Sequence, residues 1–229
     1  MKIGFPLFWL LSASSLAGMD SNSTSVIFGH GLYITVGPGP GIQSSTDGVT
    51  WTKRDSRTPS SLHAVAYGEG MFVAVGNEGT VVTSPDGIEW TRRDAVTDER
   101  LRAIAFGGTF FVTVGHAGTI AISPDGTRWT HRKSGTPERL PGIAYGAGTF
   151  VTVGWNGTIL FSRDARRWTH ATSGTTLHLS RIEYHQGQFV ARGGKSVLVS
   201  KDATTWSENS QISSSVADGG ALPRNQKKQ

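Results

Sequence analysis

The seven residues from Ser84 to Trp90 read SPDGIEW, and the phrase returns as SPDGTRW from Ser123 to Trp129. The shared pattern is Ser-x-Asp-Gly-x-x-Trp. Three further copies keep its Ser, Asp and Trp: STDGVTW at 45–51, SRDARRW at 162–168 and SKDATTW at 200–206. The tryptophans stand at 51, 90, 129, 168 and 206, so successive copies are 39, 39, 39 and 38 residues apart. Such regularity constrains the fold more than any local propensity. Each unit must be one supersecondary element that completes its core only by stacking on its neighbours.

Each unit extends upstream of its signature. LHAVAYGEGMFVAVGNEGTVVT at 62–83 is echoed at 101–122 and 140–161, and five units fill about residues 23 to 209. The runs are short, β-branched and aromatic, with glycine at their ends, which reads as strands. Unit two supplies LHAVAY, MFVAV, TVVTS and IEWTRR. The last is expected to alternate, with Ile88, Trp90 and Arg92 on one face and Glu89, Thr91 and Arg93 on the other. Charge on such an outer strand opposes edge-to-edge aggregation. Four antiparallel strands in ~40 residues make the blade of a β-propeller. The expected fold is therefore all-β, a propeller of five four-stranded blades.

The seven-residue phrase then joins third and fourth strands as a hairpin turn. Its structural residues are Ser45, Asp47 and Trp51, then Ser84, Asp86 and Trp90, then Ser123, Asp125 and Trp129. Ser162, Asp164 and Trp168, with Ser200, Asp202 and Trp206, complete the set. The carboxylate accepts from turn amides, the ring is expected to be buried, and Gly48, Gly87 and Gly126 supply a positive φ. Units four and five carry Ala165 and Ala203 there. Either those turns stay left-handed at a cost of about 1–2 kcal/mol each, or their shape differs.

The run GxGxFVxVGxxGTIxxSxDGxxWT resembles the Asp-box, or BNR, repeat family, which includes sialidases, sortilin-type receptors and photosystem II stability and assembly factors. The resemblance spans all five units and looks nearest to the non-enzymatic, assembly-factor-like bacterial members. It implies a sialidase-like propeller acting as a protein-interaction or assembly scaffold. The alternative it leaves open is carbohydrate binding or sialidase-like glycoside hydrolysis.

The residues themselves argue against catalysis. A sialidase needs an arginine cluster, a Tyr–Glu nucleophile pair and an acid, and an ordinary glycosidase needs two facing carboxylates. Of seventeen Asp and Glu residues, five belong to the turn phrases. Glu78, Asp98, Glu99, Glu138 and Glu183 lie in or near connecting loops without recurring. The seven histidines match no standard zinc spacing, and no cofactor is expected. The chain has no cysteine, which excludes thiol catalysis and disulfides.

The net charge of +5 comes largely from pairs such as Lys53-Arg54 and Arg92-Arg93, just after each tryptophan. Spread over outer strands without interleaved aromatics, they do not make a nucleic-acid groove. Thirty of 229 residues are glycine, nearly twice the usual ~7 per cent, and the repeat turns account for the excess. Residues 1–17 have the layout of a secretory signal peptide: Lys2, an apolar run from Ile3 to Leu11, then small residues to Ala17. The run is shorter than the ~20 residues of a membrane span. The expected organisation is a signal peptide at 1–17, the propeller at 18–209 and a polar tail at 210–229. The product is secreted or periplasmic, and a monomer if the ring closes. Closure rests on a latch from residues 19 to 25 or the tail, or on packing alone, unless the chain is a fragment.

Aligning the five units position by position separates scaffold from variation. Directly after the strand-closing glycine stand Pro38, Asn77, His116, Trp155 and Gly194, all different. This turn joins second and third strands, on the rim opposite the Ser-x-Asp phrases, beside the variable loops between blades. Trp155 alone of the seven tryptophans has neither a repeat nor a signal-segment role. With Asn77, Glu78, His116 and Asn156 it forms the candidate platform for a protein or glycan partner. Asn156-Gly157-Thr158 is a glycosylation sequon by its letters, yet its Gly-Thr recurs in other units, so a structural origin is expected.

Overall fold

A computed structural model describes residues 25–209. The expected signal segment, the expected tail and any latch drawn from residues 19–24 lie outside the described residues. Blade one holds β1 (Ser25–Gly29), β2 (Leu32–Val36), β3 (Ile42–Ser45) and β4 (Thr52–Arg54). Blade two holds β5 (Leu62–Gly68), β6 (Met71–Gly76), β7 (Val81–Ser84) and β8 (Thr91–Arg93). Blade three runs β9 (Leu101–Gly107), β10 (Phe110–Gly115), β11 (Ile120–Ser123) and β12 (Thr130–Arg132). In blade four come β13 (Gly142–Gly146), β14 (Thr149–Val153), β15 (Ile159–Ser162) and β16 (Thr169–Ala171). Blade five ends the series with β17 (Arg181–His185), β18 (Gln188–Gly193), β19 (Ser196–Ser200) and β20 (Ser207–Glu208).

Every blade is an antiparallel meander whose strands pair in chain order. The first strands of all five surround one cavity, lined by Ser25, His63, Arg102, Pro141 and Ser180 among others. That cavity marks the propeller axis. Second strands are buried on both faces, as Phe72, Val73, Ala74 and Val75 illustrate; in blades two to four a neighbouring blade covers each side. No strand is shared between blades one and five among the described residues.

Two contacts set the spacing between blades. The glycine ending each first strand lies against an aromatic ring of the next blade: Gly29 under Tyr67, Gly68 under Phe106, Gly107 under Tyr145 and Gly146 under Tyr184. A Cβ built on Gly107 would stand 2.1 Å from Tyr145 Cγ, far inside the ~3.5–4.0 Å of carbon–carbon contact. Blade five carries His185 at that position, and Phe28, the corresponding ring of blade one, is 45% exposed. The junction between blades five and one is thus not built on the glycine–ring contact.

The second contact is the left-handed residue of the Ser-x-Asp turn. Gly48, Gly87 and Gly126 have φ of 73°, 74° and 75°, and Ala165 and Ala203 follow at 60° and 67°. All five turns share one shape, so the alanines carry the left-handed cost. Their compensation is burial. A Cβ on Gly126 would press on Val73 at 2.6 Å, whereas Ala165 is fully buried in a cluster with Val112, and Ala203 in one with Val151. The turns of blades two to five therefore seat in the second strand of the blade before them. A parallel bridge between Thr172 and Thr205 adds a link from blade four to blade five.

Within the turn, one carboxylate oxygen does most of the work. Asp86 Oδ1 accepts from the amides of Ile88 and Glu89, at 2.9 and 3.0 Å, and from Ser84 Oγ at 2.9 Å. The same trio recurs at Asp47, Asp125, Asp164 and Asp202. These bonds favour the charged form and hold all five carboxyls below the usual carboxylate range. The amides of Thr50 and Val49 lead at Asp47, and that of Ile88 at Asp86. At Asp125 partial burial opposes the effect and the amides of Arg128 and Thr127 outweigh it.

This capture corrects two expectations. The fourth strand is not IEWTRR but Thr91–Arg93, because Asp86 keeps residues 88 and 89 in the turn. Ile88 and Trp90 consequently do not share a face, the first being 42% exposed and the second 3%. Nor are all the tryptophans buried. Trp51, Trp129, Trp168 and Trp206 are half-buried and lie over their turns, each indole nitrogen donating to the carbonyl of the left-handed residue at 3.0–3.2 Å. Trp90 sits deeper, 6.4 Å from the Phe72 ring centroid, and its indole nitrogen has no partner.

Candidate functional site

The rim opposite the Ser-x-Asp turns carries the second-to-third-strand turns and the loops between blades. Three of those turns are single 3-10 turns, Asn77–Gly79, His116–Gly118 and Trp155–Gly157. Their middle residues Glu78, Ala117 and Asn156 are left-handed, with φ of 53°, 49° and 52°. Each following glycine fits under the next loop: a Cβ on Gly157 would stand 1.9 Å from the Thr175 carbonyl oxygen. Its amide donates to Leu177 O at 2.9 Å, and Thr158 N donates to Trp155 O at 3.0 Å. The Gly-Thr of the sequon is thereby a scaffold requirement.

The predicted site residues are only partly brought together. Trp155 stacks on His178 with centroids 4.7 Å apart and planes 4° from parallel. The Arg139 guanidinium lies 4.6 Å from the Trp155 centroid and donates to His116 Nε2 at 2.7 Å. Asn156 donates through its amide to His178 Nδ1 at 3.1 Å and through Nδ2 to Glu138 Oε1 at 2.9 Å. His116, Trp155 and Asn156 therefore belong to one chain of contacts crossing blades three, four and five. Asn77 stands apart and bonds to His63 Nε2 at 2.7 Å. Glu78 is exposed beside it.

The expected platform changes character in consequence. With His178 stacked on its ring and the Arg139 guanidinium against it, Trp155 is half-buried and not a free-standing platform. The residues that position reading passed over are Arg139 and His178, and behind them Arg100, Arg102, Arg181 and His63. A signal was there to be used: Ser61, Arg100, Arg139 and His178 occupy one equivalent position just before the first strand, and they vary as the turn residues do.

The axial mouth adds a second feature. His63 and Arg102 are the extra residues of β-bulges, because Leu62 and Ala64 pair with Gly76 and Val75, and Leu101 and Ala103 with Gly115 and Val114. A bulge re-aims the side chain it carries. Here both bulged residues line the axial cavity, with Pro141 and Ser180 from blades four and five. Partial burial lowers the His63 pKa, and nearby Arg102 and Arg100 push the same way against the Asn77 bond. Burial likewise lowers that of His116, helped by Arg139, Arg100 and Arg102. Both effects favour the neutral imidazole. No group of three or more His, Asp or Glu suited to a metal is present among the described residues.

No protein-family profile matches the chain, and no curated protein sequence does. Solved structures do. YCF48 bound to D1 peptide superposes with a TM-score of 0.67 at 15% identity, over 84% of this chain and 70% of that one. YCF48 from Cyanidioschyzon merolae gives 0.56 at 14%, over 84% and 86%. A nidogen/laminin complex gives 0.61 at 12%, over 77% and 74%. At these identities the likeness establishes the β-propeller fold and nothing finer.

Proposed function

We propose that this protein is an exported, non-catalytic Asp-box propeller that contacts a protein partner through the rim of its 3-10 turns and blade-linking loops. The observation that carries the reading is the division of labour between the two rims. All five Ser-x-Asp turns repeat one hydrogen-bond set and serve the fold. The opposite rim differs from blade to blade, with His116, Arg139, Trp155 and His178 linked across three of them. Rigid amphipathic aromatics and arginine are the groups that dominate protein contact surfaces. Protein partners also appear among the similar structures, one bound to a peptide and one from a nidogen/laminin complex. The glycan alternative loses support, because a sugar stacks on an open aromatic face and the Trp155 ring is already covered by the His178 imidazole and contacted by the Arg139 guanidinium. Residues 1–17 provide the export signal of the proposal.

Photo-crosslinking tests the assignment of the rim. Leu177 on the loop rim and Ile88 on the turn rim are both exposed large apolar residues, and each is replaced in turn by benzoylphenylalanine. The proposal expects a discrete protein adduct from an extract of the source cells with the label at 177 and none at 88. Adducts from 88 alone would assign the contact to the turn rim and overturn it.

A further inference from the structure

The axial mouth is cationic, and among the described residues none of its arginines stands in an ion pair. Arg102 projects there from its bulge, and Arg181 enters from blade five. Arg100 and Arg139 lie near enough that, after burial, their charges are what lowers the Arg102 pKa. The ion pairs among the described residues are Arg57–Asp55, Arg128–Asp125 and Arg192–Glu183. None involves Arg100, Arg102, Arg139 or Arg181. Of the rim carboxylates, Glu138 bonds to Asn156 and Glu183 to Arg192; Glu99 lies near enough to His116 to act on its charge but forms no ion pair with any of the four arginines. Like charges held together without a counter-ion cost stability, and a bound anion relieves that cost.

We propose that the mouth of the axial cavity is a recognition site for a dianionic phosphoryl group, held by Arg102 and Arg181 and supported by Arg100 and Arg139. The charge count selects the ligand class. A monocarboxylate neutralises one guanidinium and offers two oxygens. A phosphoryl group carries about −1.5 to −2 and three acceptor oxygens, which a ring of blades meets with donors from several directions. Planar guanidinium forks match those oxygens in pairs. The Ser25 hydroxyl lines the same cavity; it accepts from Val65 N at 3.3 Å and keeps its own proton for a ligand oxygen. His63, bonded to Asn77, lines the same mouth. The cavity, about 410 Å³, accepts free phosphate or a phosphorylated side chain. The inference rests on the loop rim being the binding face, yet its test needs no partner protein, so its failure leaves the crosslinking result standing.

Isothermal titration of the full chain at low ionic strength uses inorganic phosphate, a phosphoserine peptide, and the same peptide with serine or glutamate in its place. Phosphate or phosphoserine peptide is expected to bind, with the serine and glutamate forms at least roughly ten-fold weaker. Arg102→Gln and Arg181→Gln should each weaken binding by about ten-fold or more, while Arg92→Gln on the outer strand leaves it unchanged. Arg181 is exposed, so its variant stays informative even if Arg102→Gln disturbs the bulge. Tighter binding of the phosphopeptide than of phosphate makes the source a modified side chain, and equal binding makes it the free ion. Absence of heat with both, equal affinity for the glutamate peptide, or wild-type binding in both arginine variants would overturn the proposal.

Discussion

Replacing Gly107 by alanine adds one methyl group and should unseat one blade from the next. The backbone there is extended, so no dihedral penalty enters, and the whole effect comes from the neighbour. The new Cβ would lie 2.1, 2.3 and 2.5 Å from three atoms of the Tyr145 ring. Ordinary contact needs ~3.5–4.0 Å, so the ring must retreat by about 1.5 Å. Tyr145 is not free to do so, because its ring is tilted at 50° onto Phe150 with centroids 4.6 Å apart. Overpacking of this kind costs about 1–3 kcal/mol, and weakening the aromatic pair adds about 0.5–1.5 kcal/mol. A total near 3 kcal/mol lowers the melting temperature by roughly 6–12 °C for a domain of this size. The assay is a double-mutant cycle by urea denaturation, with Gly107→Ala, Tyr145→Leu and the pair. Leucine leaves room for the methyl, so the pair should be more stable than the sum of single losses predicts, by ~1–2 kcal/mol. Strict additivity, or a Gly107→Ala loss under about 0.5 kcal/mol, would refute glycine–ring seating as the spacer between blades.

Other expectations follow from the turns and the rim. Asp86→Ala should cost about 1–2 kcal/mol, the range of a lost side-chain cap over two amides, and a denaturant midpoint measures it. Trp90→Ala should cost about 3–5 kcal/mol as a buried ring, and Trp168→Ala distinctly less because its ring is half-buried; equal losses would contradict the burial difference. All five turn carboxyls have folded pKa values depressed below the unfolded value near ~3.9, so their stabilisation is complete above that value and is lost as pH falls through the folded ones. The melting temperature should therefore stay level from neutral pH to about 5 and drop steeply below about 4, and less steeply in Asp125→Ala. Trp155→Ala should lower the melting temperature, because the ring bridges Arg139 and His178; an unchanged value would mean the stack does not join blades four and five.

The propeller was legible because its determinants are local and repeated. Ser, Asp and Trp recur at a fixed interval, and the glycines that rings and turns demand recur with them. Even the two alanines posed the right question, which the burial of Ala165 and Ala203 answers. The short fourth strand was not legible, since IEWTRR alternates whether or not a carboxylate upstream captures its first amides. The bulges at His63 and Arg102 leave no mark on the spacing, because they shift pairing within a blade without changing its length. The candidate site was half legible. Comparison of equivalent turn positions finds His116, Trp155 and Asn156, but Arg139 and His178 meet them from the following blades, and contacts between blades are set by geometry that no single unit contains.

The central claim is that one rim holds the fold together and the other binds. Its most direct test measures affinity and melting temperature on the same two variants, using the protein that crosslinks at position 177. Asp125→Ala, on the turn rim, should lower the melting temperature and leave affinity within about two-fold of wild type. Arg102→Gln, on the loop rim, should weaken binding by roughly ten-fold or more with little change in melting temperature. Loss of binding in Asp125→Ala at an unchanged melting temperature, with wild-type affinity in Arg102→Gln, would contradict the account.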